Sequence, residues 1–474
     1  MRERYIKTSS KEDAMEFYTL DQLSVTGVSL GSIQSLAVHN EPGSHGVMEV
    51  TAQVREEDEE TLLYGMASRQ PGALWGGGKL LFAGLLTGAE FFRRDEVRLG
   101  RLTFQTADCQ MDAEKKSRSF QDTSMTLSGL LEEILKDYPG ADYCLSLPDQ
   151  AIGRLLVQYR ETDWEFLKRV FSEYYAPLGV FMGQEGIRIY AGVTELSGQW
   201  PWELAAVEKS EAEVRRFAAM GAGETDFVDF GLLSGSCQEL FAALEYEGRT
   251  LTVRRLDWEL KKGRLECRYV LRSKAGIGAY PIYPVSLVGI ALEGRILEVK
   301  GNLVRIHMDM DDPYGGPDVF WFPYATMSAS LDGSGWYYMP EAGDRVRVEF
   351  PDKYAQDALV INSASVYEAP SGGQDAMENP AVKYLSNCAG QKMALWPQGV
   401  SVSAGASGLT VDNSGSVSIW GNNEVIIKAE GDVSFKAQSI TVKGAEEVKA
   451  VNEAGTGAEL TGELTLTGAE VLIN

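Results

Sequence analysis

The run VSVSAGASGLTVDNSGSVSIWGNNEVIIKAEGDVSFKAQSITVKG, residues 400–444, decides the fold around which the chain is organised. Short apolar–polar–apolar units recur along it at steps of seven to nine residues, most often eight. They open at Val400, Leu409, Val417, Val425, Val433 and Ile440, and the pattern returns at Val448, Leu464 and Val471. Glycines such as Gly408, Gly415, Gly431, Gly444, Gly455, Gly462 and Gly468 punctuate them. A period of two is the strand period, so each unit turns an apolar face one way and Ser, Thr, Lys or Glu the other.

A strand of four or five residues cannot bury that face alone, and repeats with this property gain stability by stacking. One chain turning every eight residues leaves little room for a core of its own, whereas three chains wound together share one apolar axis and leave few open edges. The pattern predicts an intertwined trimeric β-helix or β-prism, a needle over residues 397–474. Val417, Ile419, Val425, Ile427, Val433, Phe435, Ile440, Val442, Leu464 and Leu466 would form its core. About nine rungs at ~4.8 Å make a rod on the order of 40 Å long. A single-chain β-solenoid is the other packing that fits the same pattern.

The 474 residues suggest about three domains, and 50 Gly with 16 Pro suit a mainly β chain of short strands and tight turns. The formal net charge of −24 is spread along the sequence, which argues against nucleic acid or an anionic membrane surface as partner. Cys109, Cys144, Cys237, Cys267 and Cys388 are far apart and odd in number, suggesting neither a disulfide framework nor a metal knuckle. The first residues, MRERYIKTSSKEDAMEF, carry no apolar signal core, and residues 74–92 are too interrupted to span a bilayer. The expectation is a protein made in the cytoplasm and carried outward by something else.

Before the needle, strand-like runs over residues 19–106 read as a small barrel, interrupted by REEDEE (residues 55–60), a solvated helix start or loop. Residues 122–137 take helical spacing, with Thr126 or Ser124 to cap them. A second helix over residues 163–175 places Trp164, Leu167, Val170, Phe171 and Tyr174 along one stripe, with Thr162 or Asp163 as cap. Strands resume over residues 227–271, closing a hub domain of two barrel-like parts at residues 1–282. Residues 283–367 hold about five strands, the count of an OB barrel. Residues 368–396 read as a linker.

No stretch carries recognisable catalytic chemistry. His39, His45 and His307 fall at no metal-ligand spacing. DMDDPYGGPD, residues 309–318, fails the calcium-loop pattern because Pro313 and Tyr314 sit where a ligand and a glycine are needed, so it reads as an exposed acidic loop. Glu132 and Glu133 are adjacent on a helix and face different ways. No GxSxG, Walker loop or GxGxxG occurs. Neither catalytic, metal nor cofactor residues are expected.

Three stretches carry a family resemblance: KSRSFQDTSMTLSGLLEEIL (residues 116–135), YRETDWEFLKRVFSEYYAPLG (159–179) and MPEAGDRVRVEFPD (339–352). With the order barrel and helices, OB barrel, linker, β-rod, the chain resembles the VgrG family, the hub-and-spike proteins of type VI secretion, related contractile injection systems and phage tails. The resemblance implies a homotrimer whose hub adapts a six-fold tube to a three-fold needle. Its implied partners are the inner-tube and baseplate proteins, a PAAR-type tip protein, effector cargo and the target-cell envelope, with no enzymatic step. On that reading Val471, Leu472, Ile473 and Asn474 form the docking platform for the tip protein. The chain shows neither the effector extension nor the lysozyme-like insertion of some relatives, which places cargo in the partners. A cell-wall or polysaccharide-degrading enzyme on a β-solenoid, or a surface adhesin, are the competing expectations.

Overall fold

The computed structural model describes residues 15–474 except 68, 218–220, 329, 331–336, 362–378, 461–463 and 468–474; for Ala67 and residues 464–467 it describes the backbone alone. The chain is mainly β and divides into two units, Met1–Val366 and Tyr367–Asn474.

In the first unit the two strand-rich stretches expected as separate barrels share one twelve-stranded sheet. The seam is the antiparallel pairing of Ile33–Asn40 with Arg249–Lys261, from Asn40 opposite Leu256 to Ala37 opposite Glu259. Alternation explains why these strands meet. Leu36 and Val38 on one and Leu256 and Trp258 on the other are all buried in a common core with Met48, Val50, Phe82, Phe104 and Leu271. Register shifts near Ile33 and Val253 bend the two strands beside the seam.

REEDEE proves to be the start of a helix, α1 (Glu56–Ala67). Its first turn carries Glu56, Glu57, Asp58 and Glu59, the charge that suits the positive end of the helix dipole.

Between the two halves of the large sheet lies a lobe with its own core, built on α2 (Leu127–Leu135) and α3 (Asp163–Ser172). Thr126 caps α2 by accepting from the Gly129 N–H at 3.1 Å. Thr162 caps α3 in a reciprocal box: its hydroxyl accepts from Glu165 N–H, and the Glu165 carboxylate accepts from Thr162 N–H, both at 3.0 Å. The apolar stripes of both helices face this core, with Leu127, Leu130, Ile134, Trp164, Leu167 and Phe171 buried.

Five strands form the OB barrel, in the order Trp321–Pro323, Leu303–Met308, Ala291–Lys300, Arg345–Glu349, Leu359–Ile361. A bridge between Tyr324 and Val360 closes the ring. Its core includes Val304, Ile306, Phe322, Val346, Val348 and Phe350, the alternating positions of their strands.

In the second unit, two strands, Lys383–Ser386 and Gln391–Trp396, fall inside the stretch expected to be linker. They open an antiparallel meander that continues through Gly399–Ala404, Ser407–Asp412 and Val417–Trp420. A second meander comprises Val448–Val451, Gly457–Leu460 and Leu464–Thr467. A single-chain solenoid would pair successive coils in parallel; every strand pair described in this unit is antiparallel.

Candidate assembly surface and its supporting junction

The three stretches that carry the family resemblance converge on one junction in the first unit. The strand Lys115–Phe120 pairs antiparallel with Leu156–Thr162, which runs directly into α3. Asp163, the first residue of α3, is fully buried and accepts four hydrogen bonds. Arg118 at 2.8 Å and Gln158 at 3.0 Å reach one carboxylate oxygen; Lys116 at 2.7 Å and Tyr138 at 2.8 Å reach the other. Burial pushes against ionisation, but the Lys116 and Gln158 hydrogen bonds and the Arg118 charge outweigh it and hold the Asp163 carboxyl below its usual range. Glu161, two residues earlier, takes the Arg169 guanidinium in a two-pronged pair at 2.8 and 2.7 Å.

Arg118 and its neighbours also hold the OB barrel. Asp311 is buried, not exposed as its acidic surroundings suggest, and receives both the backbone N–H and the hydroxyl of Ser119. Gln121 donates to Asp318 at 3.0 Å and to the Ile306 carbonyl at 3.1 Å. Leu155 and Val157 lie in the OB core itself. Arg345, from the RVRVEF strand, pairs with Asp309. The acidic loop thus clamps the OB barrel to the lobe. Its carboxylates already have protein donors, and among the described residues no group of His, Cys, Asp or Glu is arranged to hold a metal ion.

Two of the three histidines are held in the same way, while His39 meets Asp257 through Nδ1 alone at 2.7 Å. His307 lies between Asp318 at 2.7 Å and Asp312 at 2.8 Å, and these hydrogen bonds raise its pKa. His45 sits between Asp108 and Asp112 against the Trp164 ring. Burial works to lower its pKa, yet the two carboxylates raise it to about 9. A cation fixed between two anions is a structural tie, and neither imidazole has a free nitrogen for proton transfer.

In the second unit the register of the meander puts its apolar residues on one face. Leu385 stands opposite Met393, Met393 opposite Val402, Val402 opposite Leu409, and Leu409 opposite Ile419. Two residues along, Leu395, Val400, Val411 and Val417 form a second apolar row on that face. The reverse face carries Tyr384, Ala394, Ser401, Thr410 and Ser418. Gly408 is needed where the last two strands meet, since a Cβ there would lie 2.4 Å from the Trp420 ring.

Nothing in the described chain covers this face: Val417 is 63% exposed and Ile419 56%. The uncovered surface continues beyond the meander. No strand occurs between Gly421 and Glu447, although three of the predicted rungs lie there. Val425, Ile427, Val433, Ile440, Phe435 at 69% and Val442 at 70% are all exposed. Leu464 and Leu466 fall in the second meander, opposite Leu460 and Ala458. Val471, Leu472, Ile473 and Asn474 lie outside the described residues. The contribution of Leu385, Met393 and Leu395 escaped the sequence reading because KYLS and KMALW were assigned to a linker, although both alternate.

No protein-family model matches the sequence, and no curated protein matches it. Solved structures do. The Escherichia coli c3393 protein, described as a component of the type VI secretion system with structural similarity to the T4 bacteriophage tail proteins gp27 and gp5, aligns at a TM-score of 0.53 and 14% identity over 71% of this chain and 98% of its own. A chain of the lidded Francisella PdpA–VgrG complex aligns at 0.48 and 10% over 82% of this chain and 76% of that one. The 43 kDa tail protein of prophage MuSo2 from Shewanella oneidensis gives 0.42 and 9% over 56% and 100%. Over most of its length the chain therefore shares the fold of the c3393 protein.

Proposed function

We propose that the chain is the structural central hub and spike of a contractile injection machine, active as a homotrimer and catalysing no reaction. The observation that carries this reading is the uncovered apolar surface of residues 385–442. Burying a Val, Ile or Phe side chain is worth roughly 1.5–3 kcal/mol, so Val417, Ile419, Val425, Ile427, Val433, Phe435, Ile440 and Val442 together offer on the order of 10–20 kcal/mol per chain. Stretches without in-chain pairing, such as residues 421–447, find strand partners in other copies, and three copies wound about one axis cover the face and close the edges.

The hub would seat this spike on the inner tube and baseplate and match six-fold to three-fold symmetry. The end of the needle, at Val471, Leu472, Ile473 and Asn474, would carry a PAAR-type tip protein and, through it or other partners, effector cargo into the target envelope. The protein would be made in the cytoplasm and travel outward with its particle. A non-enzymatic role accords with His45 and His307, each held between two carboxylates in a structural tie.

Light scattering behind size exclusion tests the assembly. Full-length protein is expected at three times 51.9 kDa, and a truncation ending before Lys383, which removes both meanders, at a lower oligomeric state. A full chain that stays monomeric at micromolar concentration overturns the trimeric spike.

A further inference from the structure

Cys237 and Cys267 are separated by thirty residues, yet their sulfurs lie 3.4 Å apart. Cys267 sits in the middle of the strand Arg264–Arg272, opposite Trp258 on one side and Ser234 on the other, and is fully buried. Cys237 lies just beyond the end of the strand Val228–Ser234. The approach is enforced by Tyr269, two residues from Cys267. Its hydroxyl donates to the Ser236 carbonyl at 2.7 Å while accepting from Gln238 N–H at 2.7 Å and Trp258 Nε1–H at 3.1 Å. One phenol thus pins the connection on both sides of Cys237, directly over the second thiol.

Only one of the two sulfurs has an approach. Cys237 lines a cavity of about 170 Å³ with Lys79, Phe181, Gln238, Glu239 and Trp258, whereas Cys267 lies behind it. We propose that this pair is a dithiol modification site that a small peroxide converts to an intramolecular disulfide, with Cys237 as the attacking and Cys267 as the resolving sulfur. In the first step Cys237 sulfur displaces water from hydrogen peroxide and becomes a sulfenic acid. In the second, Cys267 sulfur attacks that sulfur and releases a second water, so two thiols and one peroxide give one disulfide and two waters.

The site is built to react slowly. The hydrogen bond to Cys267 and burial hold the Cys237 thiol well above its usual pKa, with Lys79 on the cavity wall opposing them. Little thiolate exists at neutral pH, and oxidation accelerates about tenfold per pH unit below the thiol pKa. Once formed, the bond would fasten residues 237–241 to the large sheet. That segment also bears Leu240 and Phe241, which pack with Tyr190, Val193 and Ile277 in a separate small core. The cross-link therefore ties two cores of the hub together.

The test treats the purified full-length protein with hydrogen peroxide at pH 7 and pH 9, followed by blocking of thiols under denaturing conditions and peptide mass spectrometry. A Cys237–Cys267 linked peptide two hydrogens lighter, formed faster at pH 9 and cleaved by dithiothreitol, is expected. It should be accompanied by a rise of about 5 °C or more in the hub unfolding midpoint that C237A abolishes. Both cysteines remaining blockable while the exposed Cys388 is oxidised would overturn the proposal. So would oxidation of Cys237 to sulfinic acid without a linked peptide.

Discussion

Ser119 and Asp311 are 192 residues apart in sequence and are joined twice, the Ser119 backbone N–H donating to one oxygen of the Asp311 carboxylate at 2.6 Å and its hydroxyl to the other at 2.5 Å. The carboxylate is buried, so removing it takes the acceptor from the Ser119 backbone N–H and hydroxyl and leaves a gap at the contact. Asp311→Ala is expected to destabilise the docked OB barrel by about 1–3 kcal/mol. Thermal unfolding should then split, and limited proteolysis should cut earlier between hub and barrel. A single unshifted transition would contradict the clamp.

Asp163 is the fully buried carboxylate that accepts from both Arg118 and Lys116, and Asp163→Ala leaves the two cations to share the half-exposed Asp137, 2.6 Å from Lys116 and 3.7 Å from Arg118. The expected cost is about 3–5 kcal/mol, with Asp163→Asn milder because it keeps the shape and some of the hydrogen bonds. Urea midpoints at constant slope measure this. A loss below about 1 kcal/mol for the alanine change would mean that the cluster contributes little.

Val417 and Ile419 share the exposed face of the meander, and Ser418 lies on the other. The double change Val417→Asp and Ile419→Asp is expected to reduce the solution mass toward a single chain, whereas Ser418→Asp leaves it unchanged. Equal effects of the two would show that assembly does not use this face.

Glu239 supplies a pH dependence. Burial raises its pKa from 4.5 to about 7, although the carboxylate accepts from Met182 N–H at 3.1 Å and Gly183 N–H at 2.8 Å. The folded state holds this proton more tightly than the unfolded one, so the first unit loses stability as pH rises from about 4.5 to about 7, by roughly 3 kcal/mol. Glu239→Gln should flatten that decline in denaturant midpoints measured between pH 5 and pH 8. An unchanged pH profile in the variant would assign the decline elsewhere.

Much of the fold was legible locally. The Thr126 and Thr162 caps and the stripes of both helices rest on interactions within a few residues, and the five OB strands announce themselves by local alternation, which spacing reports directly. The acidic loop was misleading because composition registers charge but not the distant donors that neutralise it. Residues 383–396 were misread because small and polar residues around the turn masked two short alternating strands. The thiol pair was invisible because its contact depends on Tyr269 folding a connection back over a strand.

The sequence by itself determined which residues are apolar on which face, where helices begin, and that the C-terminal short strands carry an apolar face they cannot bury by themselves, since these follow from local periodicity and capping chemistry. Only the tertiary structure decided that the two strand-rich halves share one sheet, that Asp163 gathers Arg118 and Lys116 within the lobe while Asp311 fastens the OB barrel to it, and that two remote cysteines touch. Those outcomes depend on burial and donor geometry between residues far apart in the chain, and no local pattern encodes them.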